Sequence, residues 1–489
     1  MTSKIVVSGD GGRTAESIFG ARYRVTTVGV LLLMTIIAFE ALAVATALPT
    51  AARSLHGLRS YGWAFTGFLI TSVIGMVVSG MRSDRRGPRL PLGLGLLLFV
   101  GGLVVAGLAG SMWLLIVARV LQGFAVGLLI TAMYVVMGEV YPDQVRPRMF
   151  AALSTAWIVP GLVGPTVAGW VTEQLSWRWV FGGLAPFAAL GGLLLLPAVR
   201  RLRSGCGDVH VAPSRVWFAV LTAAGIAGVA EAGQHQNALS LLVAAFGLAA
   251  MLYGLHRLLP AGTGTFRAGV PAVVAFRGVL AGVFVGMELL VPLTLTVQWH
   301  YQPTLAGLPL MLTALAWAGA SQIQGRSPGV SKAAFVRLGL LLMALAGLGM
   351  ALVATRAVPG WWAFVAWPVA GAGAGFGITT VSVALMEYTT DADRGSDASS
   401  LQLSDSSGSA VTAAFSGALV SLAAQGRIGY GGGFAVAFTT MAVLAVVATV
   451  RAGRLRPPSR PGPGGDRSLA AVGRSGVRQS ADVAPGPVS

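Results

Sequence analysis

Four ionisable side chains stand within or at the edge of long apolar stretches: Glu40, Arg119, Glu288 and Asp405. A charge in hydrocarbon costs at least about 2.5 kcal/mol, so each needs a reason to be there. Glu40 lies near the middle of the run at 25–49. A carboxyl there can stay neutral while dry and ionise when water or a cationic ligand arrives. That is the physical requirement of a proton-coupling group; the plainer reading is a hydrogen-bonded tie to a neighbouring helix. Arg119, inside the run at 113–138, keeps its charge and must find acceptors. It can stabilise a nearby carboxylate or hold backbone carbonyls. Glu288, deep in the run at 272–296, is the acidic candidate of the second half, facing a cavity opposite Glu40 or tying two helices. Asp405 follows Leu401-Gln402-Leu403-Ser404, and either caps a helix start or lines the cytoplasmic mouth. Glu231 reads as a solvated interfacial group.

Two further patterns concern movement. In the loop at 80–89, Asp84 stands beside Arg85 and Arg89 at a tight turn at Gly87. Such a network can lock one conformation until it is broken. A solvated basic loop would explain the arginines but not Gly80, Asp84 and Gly87 together. Gly161, Gly164 and Gly169 with Pro165 admit close backbone approach and a bend. Other chemistries find little support. A lone Cys206 excludes a disulfide scaffold and a thiolate metal cluster. His235 and His300 are too scattered for a metal site, and there is no phosphate-cradling loop of the Walker type. No cluster of His, Asp or Ser suggests an enzyme, and no cofactor is implied.

The elements carrying these residues follow from composition. The chain has 489 residues, 55% hydrophobic and only 10% charged, whereas soluble domains carry roughly 25% charged residues. Apolar runs of about twenty residues, enough to cross the hydrocarbon core, recur at 25–49, 60–80, 91–110, 113–138, 150–172 and 178–198. They return at 215–233, 238–257, 272–296, 304–322, 332–353, 361–386, 403–425 and 432–450. Backbone in lipid must satisfy its own hydrogen bonds, so an all-α polytopic membrane protein of fourteen spans is expected. Twelve is the alternative if the pair at 215–257 does not cross. The net charge of +17 would suggest nucleic acid in a soluble protein, but its distribution argues for topology. With the N-terminus inside, 28 basic residues fall on the inner side and five on the outer. That positive-inside asymmetry puts both termini in the cytoplasm. Near-exclusive use of arginine with abundant Ala and Gly suggests GC-rich bacterial coding.

The organisation is a cytoplasmic N-terminus at 1–24, six spans at 25–198, a basic linker at 199–214, two spans at 215–257 and six more at 272–451. A disordered cytoplasmic tail at 452–489 is rich in Pro, Gly, Arg and Ser. Six plus six about a linker is the layout of transporters whose halves rock around a central site.

Motifs in the first half resemble the major facilitator superfamily, most closely its fourteen-span drug:proton antiporter branch. Phe39-Glu40 through Leu48-Pro49 is similar to the acidic motif of the first helix, usually Asp where this chain has Glu40. Gly80-Met81-Arg82-Ser83-Asp84-Arg85-Arg86-Gly87-Pro88-Arg89 is similar to the hallmark cytoplasmic loop. Ala118-Arg119-Val120-Leu121-Gln122-Gly123 with Gly138-Glu139 resembles the intramembrane-arginine motif. Pro160-Gly161-Leu162-Val163-Gly164-Pro165 with Gly169 resembles the antiporter motif. The corresponding second-half loop, Gly325 to Lys332, lacks the aspartate. The resemblance implies a major facilitator fold of two six-helix bundles and a proton-coupled efflux transporter in the cytoplasmic membrane. It implies proton transfer at Glu40 and Arg119, gating by the Asp84 loop with Glu139 as charge partner, and export coupled to inward proton flow. Partners would be a hydrophobic or cationic small molecule, protons and lipid, with the monomer as working unit. The alternative cargo is an endogenous lipid or metabolite.

Overall fold

The computed structural model describes residues 17–142, 145–201, 214–232, 238–327, 329–389 and 394–456. Cys206, His235 and the tail beyond 456 lie outside the described residues, as does the side chain of Asp84. The described residues are helical, with no strand among them. The first half contains α1 (Arg24–Ser54), α2 (Tyr61–Arg86), α3 (Arg89–Gly107), α4 (Met112–Val140) and α5 (Arg146–Gln174). It ends with α6 (Trp177–Gly182) and α7 (Ala185–Arg201). Then come α8 (Ser214–Ala232) and α9 (Ala238–Leu258). The second half contains α10 (Val270–Glu288), α11 (Leu290–Gln298), α12 (Pro303–Gly325), α13 (Lys332–Ala354), α14 (Ala363–Tyr388), α15 (Arg394–Ala424) and α16 (Tyr430–Thr449). Among the described residues, eleven helical stretches are long and apolar enough to cross a bilayer. The hairpin α8–α9 carries shorter apolar stretches, Val216–Ala232 and Leu242–Leu258.

Two runs expected to be continuous are interrupted. The run at 178–198 breaks at Gly183-Leu184, ahead of Pro186 in the first turn of α7. The run at 272–296 breaks at Leu289, between α10 and α11. Pro292 explains this second break, because it has no N–H to bond the Glu288 carbonyl one turn earlier. One residue on, the carbonyl of Leu289 accepts the buried Tyr61 hydroxyl of α2 at 2.9 Å. A third departure concerns Asp405. Helix α15 starts at Arg394, so Asp405 lies about three turns inside it and caps nothing.

The packing repeats. In the first half α2 lies on α4, α3 on α4, α1 on α5 and α1 on α7; in the second, α12 lies on α14, α13 on α14, α10 on α15 and α10 on α16. The halves meet along two seams, α2 with α15 and α5 with α12, which the same exchange interconverts. Two six-helix bundles are therefore related by a pseudo-two-fold.

Small residues and hydroxyls set the register inside each bundle. A Cβ on Gly123 would sit 2.0 Å from the Phe68 carbonyl oxygen, and one on Gly127 2.2 Å from that of Ser72. In the second bundle a Cβ on Gly371 would sit 2.2 Å from the Thr313 carbonyl oxygen, and one on Gly375 2.5 Å from that of Trp317. On α15, Ser404, Thr412 and Ser416 donate to the carbonyls of Val274, Gly282 and Gly286 at 2.7, 2.6 and 2.7 Å. Between them Gly408 abuts the Gly278 carbonyl. Each interhelical hydrogen bond in a membrane protein contributes about 0.6 kcal/mol. Their larger effect is to hold each pair as one body.

The hairpin α8–α9 closes on itself where Gly225 meets Gly247, and α8 lies over the α2–α15 seam. Glu231 is tied there, its Oε2 accepting the Trp63 indole N–H of α2 at 3.2 Å. It is therefore a link between the hairpin and the first bundle rather than only a solvated group.

The seams are tighter at the face opposite the termini. A Cβ on Gly417 would lie 2.5 Å from Gly62 Cα, and one on Gly169 2.6 Å from Thr304 Cα. A Cβ on Gly307 would lie 2.7 Å from the Pro165 carbonyl oxygen. One apolar core joins both bundles there, taking in Ala43–Ala52, Ala106–Ala118 and Ala168–Phe181 of the first half. Toward the termini the first bundle has a separate core, from Ile18 and Tyr23 to Tyr141 and Met149.

Candidate functional site

Glu40 of α1 and Arg119 of α4 meet in the middle of the first bundle, with side chains 1% and 2% exposed. Arg119 Nη1 donates to Glu40 Oε1 and, at 2.7 Å, to Gln122 Oε1. Its Nε donates to the Ala64 carbonyl of α2 at 3.2 Å, and the guanidinium lies 4.1 Å over the Phe68 ring. Three helices thus supply what a desolvated arginine requires. Gly102 of α3 makes room for Gln122, since a Cβ there would fall 2.7 Å from Gln122 Cγ. Two polar atoms stay without a hydrogen-bond partner, Glu40 Oε2 and Gln122 Nε2. A carboxylate with one oxygen held and the other bare has one place to receive a proton.

Gln122 was not singled out from the sequence, although it stood within the quoted arginine motif. The available signal was its spacing, one turn after Arg119 on the same helix face.

Glu288 stands apart from this pair. It ends α10 at the break and is half-buried, keeping part of its surface accessible. It has no hydrogen-bond or ion-pair partner among the described residues. Asp405 lies elsewhere again. Arg277 Nε of α10 donates to its Oδ2, and Arg277 Nη1 donates to Ser382 Oγ of α14 at 3.1 Å. Arg277, one of the 28 basic residues assigned to the inner side, is inside a helix and half-buried.

The glycines quoted from α5 differ in what they require. Gly169 admits no side chain against Thr304; Gly161 is tight, with Ala314 Cβ 3.2 Å away. Gly164 only touches the Phe39 ring at 3.5 Å, an ordinary contact. Pro165 lies within the helix, and its carbonyl oxygen packs against Gly307, where a Cβ would fall 2.7 Å away. The segment connects the α5–α12 seam to the residue beside Glu40.

In the loop at 80–89, Gly87 ends α2 with φ 75° and ψ 169°, a conformation nearly confined to glycine. Gly80 is not crowded, its nearest neighbour being Thr131 Cγ2 at 4.0 Å. Arg85 and Arg89 flank the turn. Glu139, on the last turn of α4, is exposed and has no ion-pair partner among the described residues. Gly87→Ala should cost about 1–3 kcal/mol and lower the melting temperature, whereas Gly80→Ala should not. Thermal unfolding of the two purified variants checks this contrast.

No group of three or more potential metal ligands occurs among the described residues.

Solved structures share the overall architecture. A POT family transporter in complex with a thioalcohol-conjugated peptide superposes with a TM-score of 0.64 at 14% identity, covering 88% of this chain and 96% of that one. A D-xylose-proton symporter gives 0.60 at 17% identity, covering 88% and 97%. At these identities the likeness concerns the fold. Among sequence relatives, the probable multidrug-efflux transporter Rv1634 of Mycobacterium tuberculosis is 26% identical over 428 residues, 83% of this chain and 89% of that protein. The multidrug transporter protein MdtP of Bacillus subtilis is 29% identical over 153 residues, spanning 31% of this chain and 28% of MdtP. The family described as Major Facilitator Superfamily matches residues 30–327, more than half of the sequence, and the chain belongs to that superfamily of membrane transporters.

Proposed function

We propose that the chain is a proton-coupled exporter of hydrophobic or cationic amphiphilic small molecules, of the fourteen-span drug:proton antiporter branch. The observation that carries this reading is the buried Glu40–Arg119 pair with Glu40 Oε2 left bare. Protonation at that oxygen removes the charge that holds Arg119. The guanidinium then retains the Ala64 carbonyl, Gln122 and the Phe68 ring. Deprotonation restores the pair and draws α1 and α4 together. Because α1 also packs on α5, which forms one seam, the state of Glu40 bears on how the halves meet.

The basic-residue asymmetry supports cytoplasmic termini. The shared core at the opposite face then corresponds to an arrangement closed outward. In this reading α8 and α9 are two further crossings, the monomer is the working unit, and the loop at 80–89 latches the cytoplasmic side. Cargo drawn from an endogenous lipid is the second reading. It is favoured by an apolar groove lined by Phe39, Ala168, Val171, Leu175 and Trp179, which would accept an acyl chain.

The test is a proton flux. Purified protein is reconstituted in sealed vesicles with an internal pH dye, without an initial gradient, and ethidium is added. Wild type should move protons as ethidium is taken up, and Glu40→Gln should lower that flux about tenfold or more. Equal proton flux in the two proteins would overturn the coupling role of Glu40.

A further inference from the structure

The pseudo-two-fold relates particular residues, and one such relation assigns a role to Glu288. Gly123 and Gly127 of α4 seat against carbonyls of α2 as Gly371 and Gly375 of α14 seat against those of α12. Aligning these couples sets Arg119, one turn before Gly123, against Trp367, one turn before Gly371. Where Arg119 grips Glu40 of α1, Trp367 stacks on Phe284 of α10 with ring centroids 5.3 Å apart. The first bundle has an ion pair at this position; the second has an aromatic stack. Trp317 of α12 extends the stack, its ring edge-on to Phe284 at 5.4 Å, and is only half-buried. Trp367 is fully buried, with its indole N–H unpartnered.

Glu288 follows Phe284 by one turn on the same face of α10, where Pro292 breaks the helix. Its carboxylate has no cation among the described residues, in contrast to Glu40 and Asp405, which have Arg119 and Arg277. An incoming cation at Glu40 would have to displace a buried arginine held by three helices. At Glu288 it would meet an unopposed carboxylate with an aromatic wall beside it.

The geometry points to a binding site for lipophilic monovalent cations formed by Glu288 with the accessible part of Trp317, which the buried Phe284–Trp367 stack backs. The two acids then divide the work, Glu40 carrying the proton and Glu288 the cargo charge. Aromatic faces attract a cation through their quadrupole and accommodate its apolar substituents. One unopposed carboxylate matches one positive charge. This assignment rests on the export reading for its physiological meaning, but not for its test.

The test is equilibrium binding of tetraphenylphosphonium to the purified full-length protein, with triphenylphosphine oxide as the neutral counterpart. Wild type should bind the cation more tightly than the neutral compound. Glu288→Gln should weaken cation binding by about tenfold or more and leave the neutral compound within about twofold. Glu288→Asp, which keeps the charge, should recover part of the loss, separating charge from folding. Trp317→Leu should weaken cation binding by about threefold or more. The assignment is overturned if Glu288→Gln binds the cation as wild type does. It is equally overturned if wild type shows no preference for charge. Cation binding that follows Glu288 while Glu40→Gln keeps full proton flux would sink the export reading and leave this site standing.

Discussion

Replacing Arg119 by Met is expected to destabilise the protein by about 3–5 kcal/mol, because it leaves the Glu40 carboxylate buried with neither cation nor water. At 1% exposure the carboxylate gains nothing from solvent, and one of its oxygens already lacks a partner. The single variant should therefore melt far below wild type or purify only in small amounts. Glu40→Leu alone should cost less, since Arg119 keeps Gln122, the Ala64 carbonyl and the Phe68 ring. The double replacement Arg119→Met with Glu40→Leu should recover most of the stability lost in Arg119→Met, because both charges leave together. It should not recover proton flux. Melting temperatures of the four proteins form the cycle. A double variant no more stable than Arg119→Met would mean that the pair does not act as a unit. A double variant that still moves protons would mean that the coupling acid lies elsewhere.

The pair illustrates which parts of the site could be read from sequence. Glu40 and Arg119 each declared themselves, because an ionisable residue in an apolar run has few explanations. Their meeting did not, since nothing along one chain gives the distance between α1 and α4. Gln122 was missed because an amide in a helix is unremarkable until its arginine is seen to need an acceptor. Asp405 and Arg277 were both misread. Span ends were set where apolar residues begin, yet α15 continues as helix through the polar stretch Arg394–Ser404. Arg277 falls within the run at 272–296, two turns inside α10, so counting it with the inner-side arginines overlooked its own helix. The polar ladder on α15 had a visible period, with Ser404, Gly408, Thr412 and Ser416 one turn apart. Its partner carbonyls on α10 had none, because backbone leaves no mark in sequence. Trp367 was least legible of all. An apolar residue in an apolar helix acquires meaning only when the second bundle is laid on the first and it falls where Arg119 stands.

The fold itself was written more plainly, in run lengths and in the side on which arginines fall. What composition could not say is where the halves touch. That is decided by single atoms at the seams, and the consequence is large enough to measure. Gly417 of α15 faces Gly62 of α2 so closely that a Cβ would lie 2.5 Å from Gly62 Cα, and Gly62 offers only backbone to yield. Gly417→Val must therefore part the two helices at the face opposite the termini. Overpacking of this kind costs about 1–3 kcal/mol, which moves a two-state equilibrium about 5–150-fold. Because the strain falls on the seam and not within either bundle, the variant should fold and yet leave the arrangement closed at that face. Thr294, fully buried in α11 toward that face, can report on this as Thr294→Cys in a Cys206→Ser background. A thiol reagent that does not cross membranes, applied from the face opposite the termini, should label it slowly. Adding Gly417→Val should accelerate labelling at least about fivefold and lower transport by a similar factor. Gly93→Val is the matched control, since a Cβ there meets nothing within 4 Å, and it should change neither rate. If Gly417→Val labels and transports as the control does, the seam is not what holds the two bundles closed.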